Sequence, residues 1–322
     1  MSRAFLFPGQ GAQTIGMGKD LADSYASAKA VFEEVDDALG EKLSQLIWDG
    51  DADTLTLTAN AQPALMATSL AAMRALEAEG VTIDADSYMA GHSLGEYSAL
   101  TAAGALSVAD AARLLRLRGE AMQSAVPRGV GAMAAVLGLS LDQVRDVAAE
   151  AAQGEVCEAA NDNDPSQVVI SGHKAAVERA AELAKAAGAK RALLLPVSAP
   201  FHCALMAPAA EAMKAALADV QIKAPAVPLI ANVSAAATRN PDEIRTLLVD
   251  QVCGAVRWRE CVTTMVDQGV ESFWEIGAGK ALSGMVRRIH KSASVLAIGT
   301  AENVKAAAEQ LNGANEKEKA DV

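Results

Sequence analysis

Aromatic side chains, paired cysteines and long apolar segments are all scarce in this 322-residue chain. Aromatic residues make up 3% of the sequence, so Ala, Val, Leu, Ile and Met must build most of the core. The four cysteines show no CxxC spacing, and a chain of this length needs no disulfide framework. No stretch of about 18 uncharged apolar residues exists, and the apolar run at residues 4–7 is too short for a signal peptide. We therefore expect a soluble cytoplasmic protein without a membrane span.

Basic residues are also fewer than acidic ones. Lys and Arg total 28 against 40 Asp and Glu, and the resulting net charge of −12 argues against nucleic acid as a partner. No two of the four histidines lie within one helical turn of each other, and no HExxH motif occurs. The sequence therefore predicts neither a nucleic-acid-binding surface nor a metal site.

The chain does contain an alternation of short apolar runs with long Ala-rich amphipathic segments. With 51% hydrophobic and 21% charged residues it has the composition of a globular protein, and the alternation is typical of an α/β fold. The predicted strands are 4–7, 87–90, 229–232, 271–276 and 294–298, and the predicted helices are 61–79, 107–125, 204–218, 241–251 and 280–289.

The block from 128 to 197 follows a different pattern. The strands predicted there are 132–137, 155–160, 167–171 and 190–195, with helices at 141–152 and 174–187 and a turn at 161–166. This βαββαβ order is that of ferredoxin-like folds, and glycine and proline at its ends favour a separate subdomain. The alternative is that these elements extend the main sheet. We expect a large domain of 1–127 and 198–312, a small subdomain of 128–197 and a disordered tail at 313–322.

The strongest local signal is the motif Gly91-His92-Ser93-Leu94-Gly95, which follows a short predicted strand and opens an amphipathic helix. A GxSxG motif in that context is typical of a nucleophile elbow, a turn so sharp that it needs glycine two residues before and after the serine. The elbow would expose Ser93 at a helix N-terminus, where the backbone N–H of Leu94 could stabilise an oxyanion. The alternative is an inert serine in a glycine-flanked turn.

A serine nucleophile needs a base, and the four histidines are the candidates. His92 is adjacent to Ser93 and would point away from it, whereas His173 and His290 occupy positions typical of solvated surfaces. His202 lies two residues after Pro200, where the chain has left the 128–197 block, and that proline would stiffen the segment. The predicted base is therefore His202.

One arginine lies on the apolar face of a predicted helix. Arg118 has Leu114, Leu115, Ala121 and Met122 at spacings of three and four residues. A buried guanidinium needs an anion of matching geometry, and a carboxylate offers a bidentate partner. One hypothesis is that Arg118 holds a substrate carboxylate, and the other is an internal salt bridge to an Asp or Glu side chain.

The loop after the first strand, Phe7-Pro8-Gly9-Gln10-Gly11, is not a dinucleotide-binding loop. A GxGxxG motif would need glycine at position 14, which is threonine. A glycine-flanked glutamine at a strand end could instead present its backbone N–H to a nearby site. On its own, the loop leaves the role of Gln10 open.

Several motifs occur together in the order of one known family. They are Phe7-Pro8-Gly9-Gln10-Gly11, Gln62-Pro63-Ala64-Leu65, Gly91-His92-Ser93-Leu94-Gly95-Glu96, Arg118-Gly119, Gly131-Ala132-Met133-Ala134-Ala135, Phe201-His202, Gln251 before Val256-Arg257-Trp258, and Glu275-Ile276-Gly277. In this order they resemble the malonyl-CoA:acyl carrier protein transacylases of bacterial fatty acid synthesis, from the first strand to about residue 298. Where that family usually has Asn-Pro after the glutamine, this chain has Gly254-Ala255.

The resemblance implies a hydrolase-like core, with a short parallel sheet flanked by helices, beside the ferredoxin-like subdomain. It implies Ser93 as nucleophile and His202 as base, with the backbone N–H groups of Gln10 and Leu94 as the oxyanion hole. It also implies that Arg118 holds the malonyl carboxylate. The expected activity is that of an [acyl-carrier-protein] S-malonyltransferase, which works by a ping-pong mechanism through a malonyl-serine intermediate.

The resemblance further implies that Gln251 orients His202 through its backbone carbonyl, so that a Ser–His dyad replaces the triad with a carboxylate. Gln62 and Phe201 are expected at the substrate, and phenylalanine before the base is similar to the malonyl-selective pattern. The expected partners are malonyl-CoA, CoA and, transiently, acyl carrier protein, and we expect a monomer. No cofactor is expected, because the thioester is already activated.

A serine esterase or thioesterase that hydrolyses acyl-CoA is the alternative, because α/β-hydrolases share the GxSxG elbow. Those enzymes place an acidic residue between the serine and a late histidine, and they add an HGGG-type oxyanion loop. This chain has no HGGG, and more than a third of it follows His202.

The resemblance implies an acidic carrier protein, yet this chain is itself negatively charged. We therefore expect docking through a local basic patch. The candidate residues are Lys185, Lys190, Arg191, Arg287, Arg288 and Lys291.

Overall fold

Strands and helices alternate along most of the chain. The computed structural model describes residues 2–197 and 199–320, with 312–320 described as backbone only. In chain order the strands are β1 (Arg3–Phe7), β2 (Tyr88–Gly91), β3 (Gly131–Leu137), β4 (Cys157–Asp164), β5 (Gln167–His173), β6 (Arg191–Leu194), β7 (Leu229–Ile230), β8 (Ala237–Thr238), β9 (Ser272–Ile276) and β10 (Ser294–Ile298). The helices are α1 (Lys19–Ser24), α2 (Ala26–Leu39), α3 (Leu43–Asp49), α4 (Ala52–Thr56), α5 (Thr58–Ala78), α6 (Gly95–Ala102), α7 (Val108–Ser124), α8 (Leu141–Ala152), α9 (Lys174–Ala186), α10 (Ala207–Ala218), α11 (Pro241–Cys253), α12 (Trp258–Asp267), α13 (Ala281–Ile289) and α14 (Ala301–Ala320).

A six-stranded sheet forms the centre of the larger part of the structure. Its strand order is β10-β9-β1-β2-β7-β8, and every pairing is parallel except that of β7 with β8. All five residues of β1 are buried, because helices cover both faces of the sheet. One face packs against α5 and α7, and the other packs against α12 and α13. The predicted α/β core with a short parallel sheet is therefore confirmed.

A second, four-stranded sheet is built from the segment between Gly131 and Leu194. Its strand order is β4-β5-β3-β6 and all its pairings are antiparallel. Val144 of α8 and Val177 of α9 pack with Val136 of β3 in one hydrophobic cluster. The predicted ferredoxin-like subdomain is confirmed, and the alternative that these strands extend the main sheet is wrong.

The end of β4 differs from the sequence prediction. Residues 161–166 are predicted as a turn, but the strand continues to Asp164 and its last four side chains are buried. The carboxylate of Asp162 pairs with Arg259 at 2.8 Å, and that of Asp164 pairs with Arg288 at 2.7 Å. Because these arginines lie about a hundred residues further along the chain, the local composition gave no sign that the acidic residues are buried in a strand.

The predicted domain boundaries and the predicted tail stay predictions. The first and last strands of the small sheet in chain order, β3 and β6, both lie within the predicted block of 128–197. The backbone of α14 includes residues 313–320 of the predicted tail, and residues 321–322 lie outside the described part of the chain. Over 2–197 and 199–320, no helix has the length and the apolar character that a membrane crossing requires.

Several helices begin or end at positions other than those predicted. α5 begins at Thr58 instead of residue 61, and Pro63 lies inside it. The segment predicted as one helix at 204–218 is a 3₁₀ turn, Ala204–Met206, followed by α10. Helices α2 and α12 were not among the predicted elements, although both are amphipathic. The earlier start of α5 matters for the site, because it places Thr58 within the helix that faces α7.

Candidate active site

The turn between β2 and α6 has the geometry of a nucleophile elbow. A Cβ atom on Gly91 would lie 1.9 Å from the carbonyl carbon of Gly95, and one on Gly95 would lie 2.2 Å from the carbonyl oxygen of Phe7. Both positions therefore require glycine. Between them Ser93 has a φ of 53°, which is a strained conformation for a residue with a side chain. The Asn232 side chain stabilises the turn, since its Oδ1 accepts a hydrogen bond of 2.8 Å from the Ser93 N–H.

Ser93 and His202 form a hydrogen-bonded pair. The distance from Ser93 Oγ to His202 Nε2 is 2.7 Å, and His202 Nδ1 lies 2.9 Å from the backbone carbonyl oxygen of Gln251. A carbonyl oxygen only accepts, so Nδ1 carries the proton and Nε2 is free to accept one from the serine. Burial, together with the nearby guanidinium of Arg118, lowers the pKa of His202 to about 3. The imidazole is therefore neutral at neutral pH.

Arg118 lies beside this pair and is only 1% exposed. Its Nη1 donates to Gln62 Oε1 at 2.7 Å, and its Nη2 donates to Gln251 Oε1 at 2.8 Å and to Ser93 Oγ at 3.2 Å. Its buried Nε has no hydrogen-bond partner among the residues that the structure describes. Within the described part of the chain, no Asp or Glu oxygen lies within 4 Å of the guanidinium. The salt-bridge hypothesis from the sequence is therefore wrong, and neutral amides hold Arg118 instead.

The residue after Arg118 explains how the arginine reaches the site. A Cβ atom on Gly119 would lie 2.6 Å from the carbonyl oxygen of Thr58 and 2.6 Å from Cα of Ala59. Glycine thus allows α7 to approach the first turn of α5 closely. This approach brings Arg118 into contact with Gln62.

A buried hydrogen-bond network lies behind the Ser93–His202 pair. Gln251 Nε2 donates to Glu96 Oε2 at 2.7 Å and to the backbone carbonyl oxygen of Ser93 at 3.0 Å. Glu96 Oε2 also accepts from the backbone N–H of Asn232 at 3.2 Å. Glu96 is 1% exposed, and burial raises its pKa to about 7. The network ties α6, α11 and the segment after β7 together at the serine.

A second chain of hydrogen bonds connects Arg118 to the loop after β1. Gln62 accepts from Arg118 and donates through Nε2 to Thr58 Oγ1 at 2.9 Å. The Thr58 hydroxyl in turn donates to Gln10 Oε1 at 2.9 Å. The side chain of Gln10, a predicted oxyanion-hole residue, is therefore held by the same network as the buried arginine.

Ser93 opens into a cleft of about 500 Å³ between the two sheets. From the larger domain, Gln10, Leu94 and Phe201 line the cleft beside the serine. From the small subdomain, the lining residues are Met133, Ala135, Asn161, Asn163, Gln167 and Val169. The cleft thus brings together every residue that the sequence analysis placed at the site except Gln251, which lies directly behind the dyad. Over the described residues, no group of three or more His, Cys, Asp or Glu could hold a metal ion.

The remaining histidine of the elbow contacts the small subdomain. His92 Nε2 lies 2.9 Å from Asn163 Oδ1, and the His92 ring packs against Trp258. Burial lowers the pKa of His92. As expected, this side chain does not contact the Ser93 hydroxyl, and it links the elbow to β4 instead.

Three residues of the site were missed by the sequence reasoning. Glu96 belongs to one of the family motifs but receives no role from it, Asn232 ends a predicted strand, and Thr58 precedes the predicted helix. The one available signal is an acidic residue in the first turn of the helix that the elbow opens. Thr58 and Asn232 carry no local signal, because their partners are distant in sequence.

The fold and the site both have counterparts among known proteins. The family model of the acyl transferase domain matches residues 4–319, so this chain belongs to the acyl transferase family. The malonyl CoA-acyl carrier protein transacylase of Bacillus subtilis (strain 168) is 48% identical over 316 residues, which are 97% of this chain and 98% of that protein. These similarities place the chain among the malonyl transacylases of the family.

Solved structures agree with this assignment. The acyl-carrier-protein S-malonyltransferase from Bartonella henselae superposes with a TM-score of 0.94 at 56% identity, over 97% of this chain and all of that one. A malonyl-transacylase solved in complex with a type II polyketide acyl-carrier protein superposes with a TM-score of 0.93 at 42% identity, over 96% of this chain and all of that one.

Proposed function

We propose that this chain transfers the malonyl group of malonyl-CoA to the phosphopantetheine thiol of acyl carrier protein, as its relatives' names describe. The observation that carries the proposal is the 3.2 Å distance between Arg118 Nη2 and Ser93 Oγ. In a malonyl thioester one methylene separates the carboxylate from the reacting carbonyl carbon. A receptor for that carboxylate must therefore lie next to the nucleophile, which is where the buried guanidinium lies.

In the first half-reaction, Ser93 Oγ attacks the thioester carbonyl carbon and its proton passes to His202 Nε2. The tetrahedral intermediate collapses, the C–S bond breaks, and the CoA sulfur takes the proton from the imidazolium. The products are CoA and a malonyl ester on Ser93. Because the pKa of His202 is lowered to about 3, the imidazole is neutral before the step and returns its proton readily.

In the second half-reaction, the pantetheine thiol of the carrier protein gives its proton to His202 and attacks the ester carbonyl carbon. The C–O bond to Ser93 breaks, and the serine oxygen recovers a proton from the imidazolium. The carrier protein leaves with the malonyl thioester. The reaction is therefore ping-pong, since CoA departs before the carrier thiol reacts.

The oxyanion of each intermediate requires donors that are already in place. We assign this role to the backbone N–H groups of Leu94 and Gln10. Leu94 is the N-cap residue of α6, where N–H groups lack helical partners, and Gln10 lines the same cleft. The chain of hydrogen bonds through Thr58 supports Gln10 in this position.

Arg118 would bind the malonyl carboxylate, with Gln62 and Gln251 holding its guanidinium in place. Phe201, which is half-buried at the cleft, would limit the space beside the acyl group. Since a thioester is already activated, the proposal requires no metal or cofactor. We further propose that the chain acts in the cytoplasm, as the sequence analysis expects, and that it acts as a monomer, because one chain supplies all the residues of the site.

Hydrolysis of acyl-CoA is the competing activity. An esterase of the α/β-hydrolase class supports its histidine with a carboxylate, whereas His202 Nδ1 contacts the backbone carbonyl oxygen of Gln251. A neutral carbonyl stabilises an imidazolium less than a carboxylate does, and a thiol acceptor, which is far more acidic than water, requires less help from the base. The geometry therefore favours transfer to a thiol.

The test is an incubation with malonyl-CoA in the presence and absence of holo acyl carrier protein, followed by intact-protein mass spectrometry. We expect a malonylated enzyme without the carrier and a malonylated carrier when it is present. The Ser93→Ala variant, used as the control, should form neither product. Release of free malonate at the same rate with and without the carrier would establish the thioesterase instead.

A further inference from the structure

Glu96 is a buried carboxyl group to which the proposed reaction gives no role. It is the second residue of α6, and it lies three residues after the nucleophile with 1% of its surface exposed. A buried carboxyl group is costly unless it has hydrogen-bond donors. Both of its donors, Gln251 Nε2 at 2.7 Å and the Asn232 N–H at 3.2 Å, bind the same oxygen, Oε2.

The contact with Gln251 decides which way that amide faces. Three acceptors surround Gln251 Nε2: Glu96 Oε2 at 2.7 Å, the Ser93 carbonyl oxygen at 3.0 Å and Asn232 Oδ1 at 3.4 Å. With the amino group held there, Gln251 Oε1 faces Arg118 Nη2 at 2.8 Å. A reversed amide would turn N–H groups towards the guanidinium and an oxygen towards Glu96, which is unfavourable on both sides.

The guanidinium itself depends on two such amides. Gln62 Oε1 accepts from Nη1 at 2.7 Å and Gln251 Oε1 accepts from Nη2 at 2.8 Å. These two hydrogen bonds fix the orientation of the guanidinium plane. Gln62 has its own support, since its Nε2 donates to Thr58. Glu96 gives Gln251 the shortest hydrogen bond that its amino group makes.

We propose that Glu96 is a positioning residue that fixes the guanidinium of Arg118 for the substrate carboxylate, acting through the side-chain amide of Gln251. The inference rests on the proposed function, because it requires a substrate with a carboxylate at Arg118. The dyad depends on Glu96 much less. His202 is held by the backbone carbonyl of Gln251, which belongs to α11, and not by the amide that Glu96 contacts.

This role requires an oxygen at the right distance and not a charge. A carboxyl group accepts at Oε2 whether or not it is ionised, so the positioning persists on both sides of its pKa of about 7. Two substitutions separate the effect of side-chain length from the effect of charge. Glu96→Gln keeps the length and an acceptor oxygen, whereas Glu96→Asp keeps the carboxylate and withdraws it by one methylene.

The experiment measures acylation of Ser93 in single turnovers with malonyl-CoA and with acetyl-CoA, which lacks the carboxylate. Reaction with phenylmethylsulfonyl fluoride gives a second rate that reports the nucleophile alone. We expect Glu96→Asp to lower the malonyl rate by about 10-fold or more and the two other rates by about 3-fold at most, because small displacements in a site cost large factors. Glu96→Gln should keep the malonyl rate within about 3-fold of the wild-type rate.

Ser98→Ala is the matched control, since Ser98 is also fully buried on α6. It should leave the ratio of malonyl to acetyl rates unchanged, and thermal unfolding should show all three variants to be folded. Equal losses with all three reagents in Glu96→Asp would overturn the inference, because they indicate a general structural role. The opposite pattern would also overturn it. If Glu96→Gln lost the malonyl rate and Glu96→Asp retained it, the charge of residue 96 would matter and the length of its side chain would not.

Failure of the inference and failure of the proposed function are distinguishable. If the wild-type chain does not load the carrier from malonyl-CoA, the proposed function is wrong. If the wild-type chain loads the carrier but Glu96→Asp leaves the malonyl-to-acetyl ratio unchanged, only the positioning role is wrong.

Discussion

Arg118 Nη2 donates a hydrogen bond of 3.2 Å to Ser93 Oγ, the same hydroxyl group that donates to His202 Nε2 at 2.7 Å. The cation therefore touches the nucleophile directly while two neutral amides hold it in place. A buried charge is costly unless an opposite charge compensates it, which points to an anionic group of the substrate as the partner of Arg118. Its nearness to Ser93 restricts which acyl groups can present an anion to it.

Replacing Arg118 should change the choice of acyl group. A charge-assisted contact is worth roughly 2–5 kcal/mol when one partner is truncated, so Arg118→Ala should lower kcat/KM for malonyl-CoA by about 30-fold or more. In that variant kcat/KM for acetyl-CoA should fall less than kcat/KM for malonyl-CoA. Arg118→Lys should recover little, because a point charge cannot reproduce the planar fork. The measurement is kcat/KM for both donors in the wild type and both variants, and an unchanged ratio would show a purely structural arginine.

The same distance predicts selectivity for chain length in the wild-type chain. Succinyl-CoA has one more methylene between its carboxylate and the reacting carbonyl. The spacing of these two groups therefore no longer matches the spacing between Arg118 and Ser93. We expect kcat/KM for succinyl-CoA to be lower than for malonyl-CoA by at least about 10-fold, the usual effect of one misfitting methylene. Acetyl-CoA gives the reference without a carboxylate. Equal values for the two dicarboxylic donors would mean that the carboxylate is not held beside the serine.

The pH dependence of acylation should lack the acid limb that is typical of histidine. Burial, with a contribution from Arg118, lowers the pKa of His202 to about 3. A lowered pKa means that the imidazole stays neutral as the pH falls through about 6.5, where an ordinary histidine becomes protonated. We therefore expect a flat single-turnover rate with malonyl-CoA between about pH 5.5 and 7.5. A tenfold loss per pH unit below 6.5 would contradict this reading of the site.

Thr58 should support activity through its hydroxyl. Thr58→Val keeps the shape but removes the hydroxyl group that bonds Gln10 Oε1 and Gln62 Nε2, which costs about 1–3 kcal/mol of unfolding free energy. The freed loop should also lower kcat several-fold, while Thr58→Ser should restore both. Thr68→Val is the control on the same helix, since Thr68 bonds the Ala64 carbonyl outside this network. Equal activity losses in Thr58→Val and Thr68→Val would refute a specific role for the hydrogen bonds that Thr58 makes with Gln10 and Gln62.

The basic residues expected to dock the carrier include some near the cleft on both the small subdomain and the larger domain. Lys190 and Arg191 are exposed just before the cleft-lining segment 195–197, and Arg287 is exposed on α13, whose Met285 lines the cleft. Reversing Lys190 and Arg191 together to Glu should raise KM for the carrier at low salt and leave acylation by malonyl-CoA unchanged. Lys29→Glu on α2 is the control. An unchanged KM would exclude this cluster from docking.

Arg288 should not be included in such a test. Its Nε pairs at 2.7 Å with Asp164, whose side chain is fully buried, so this arginine joins α13 to β4. A charge reversal there would leave a buried carboxylate facing a second negative charge, and any loss of carrier loading would reflect lost stability.

The sequence by itself determined the elements that depend on local pattern. The spacing of apolar residues placed Arg118 on the buried face of its helix, and the glycines of the elbow followed from a turn that admits no side chain. The βαββαβ order was sufficient to separate the small subdomain from the main sheet. Each of these inferences uses residues within one element or its immediate neighbours, and periodicity and turn chemistry report on that range.

The tertiary structure alone decided what the buried polar side chains do. The local pattern left open whether an internal carboxylate pairs with Arg118, and only the packing of α5, α7 and α11 shows two amides there. It equally gave no role to Glu96, whose partner Gln251 is 155 residues away, and it predicted a turn where Asp164 is buried against Arg288. The physical reason is the same in each case. A polar side chain can be buried only where donors and acceptors meet it, and those partners come from segments that the sequence separates and the fold brings together.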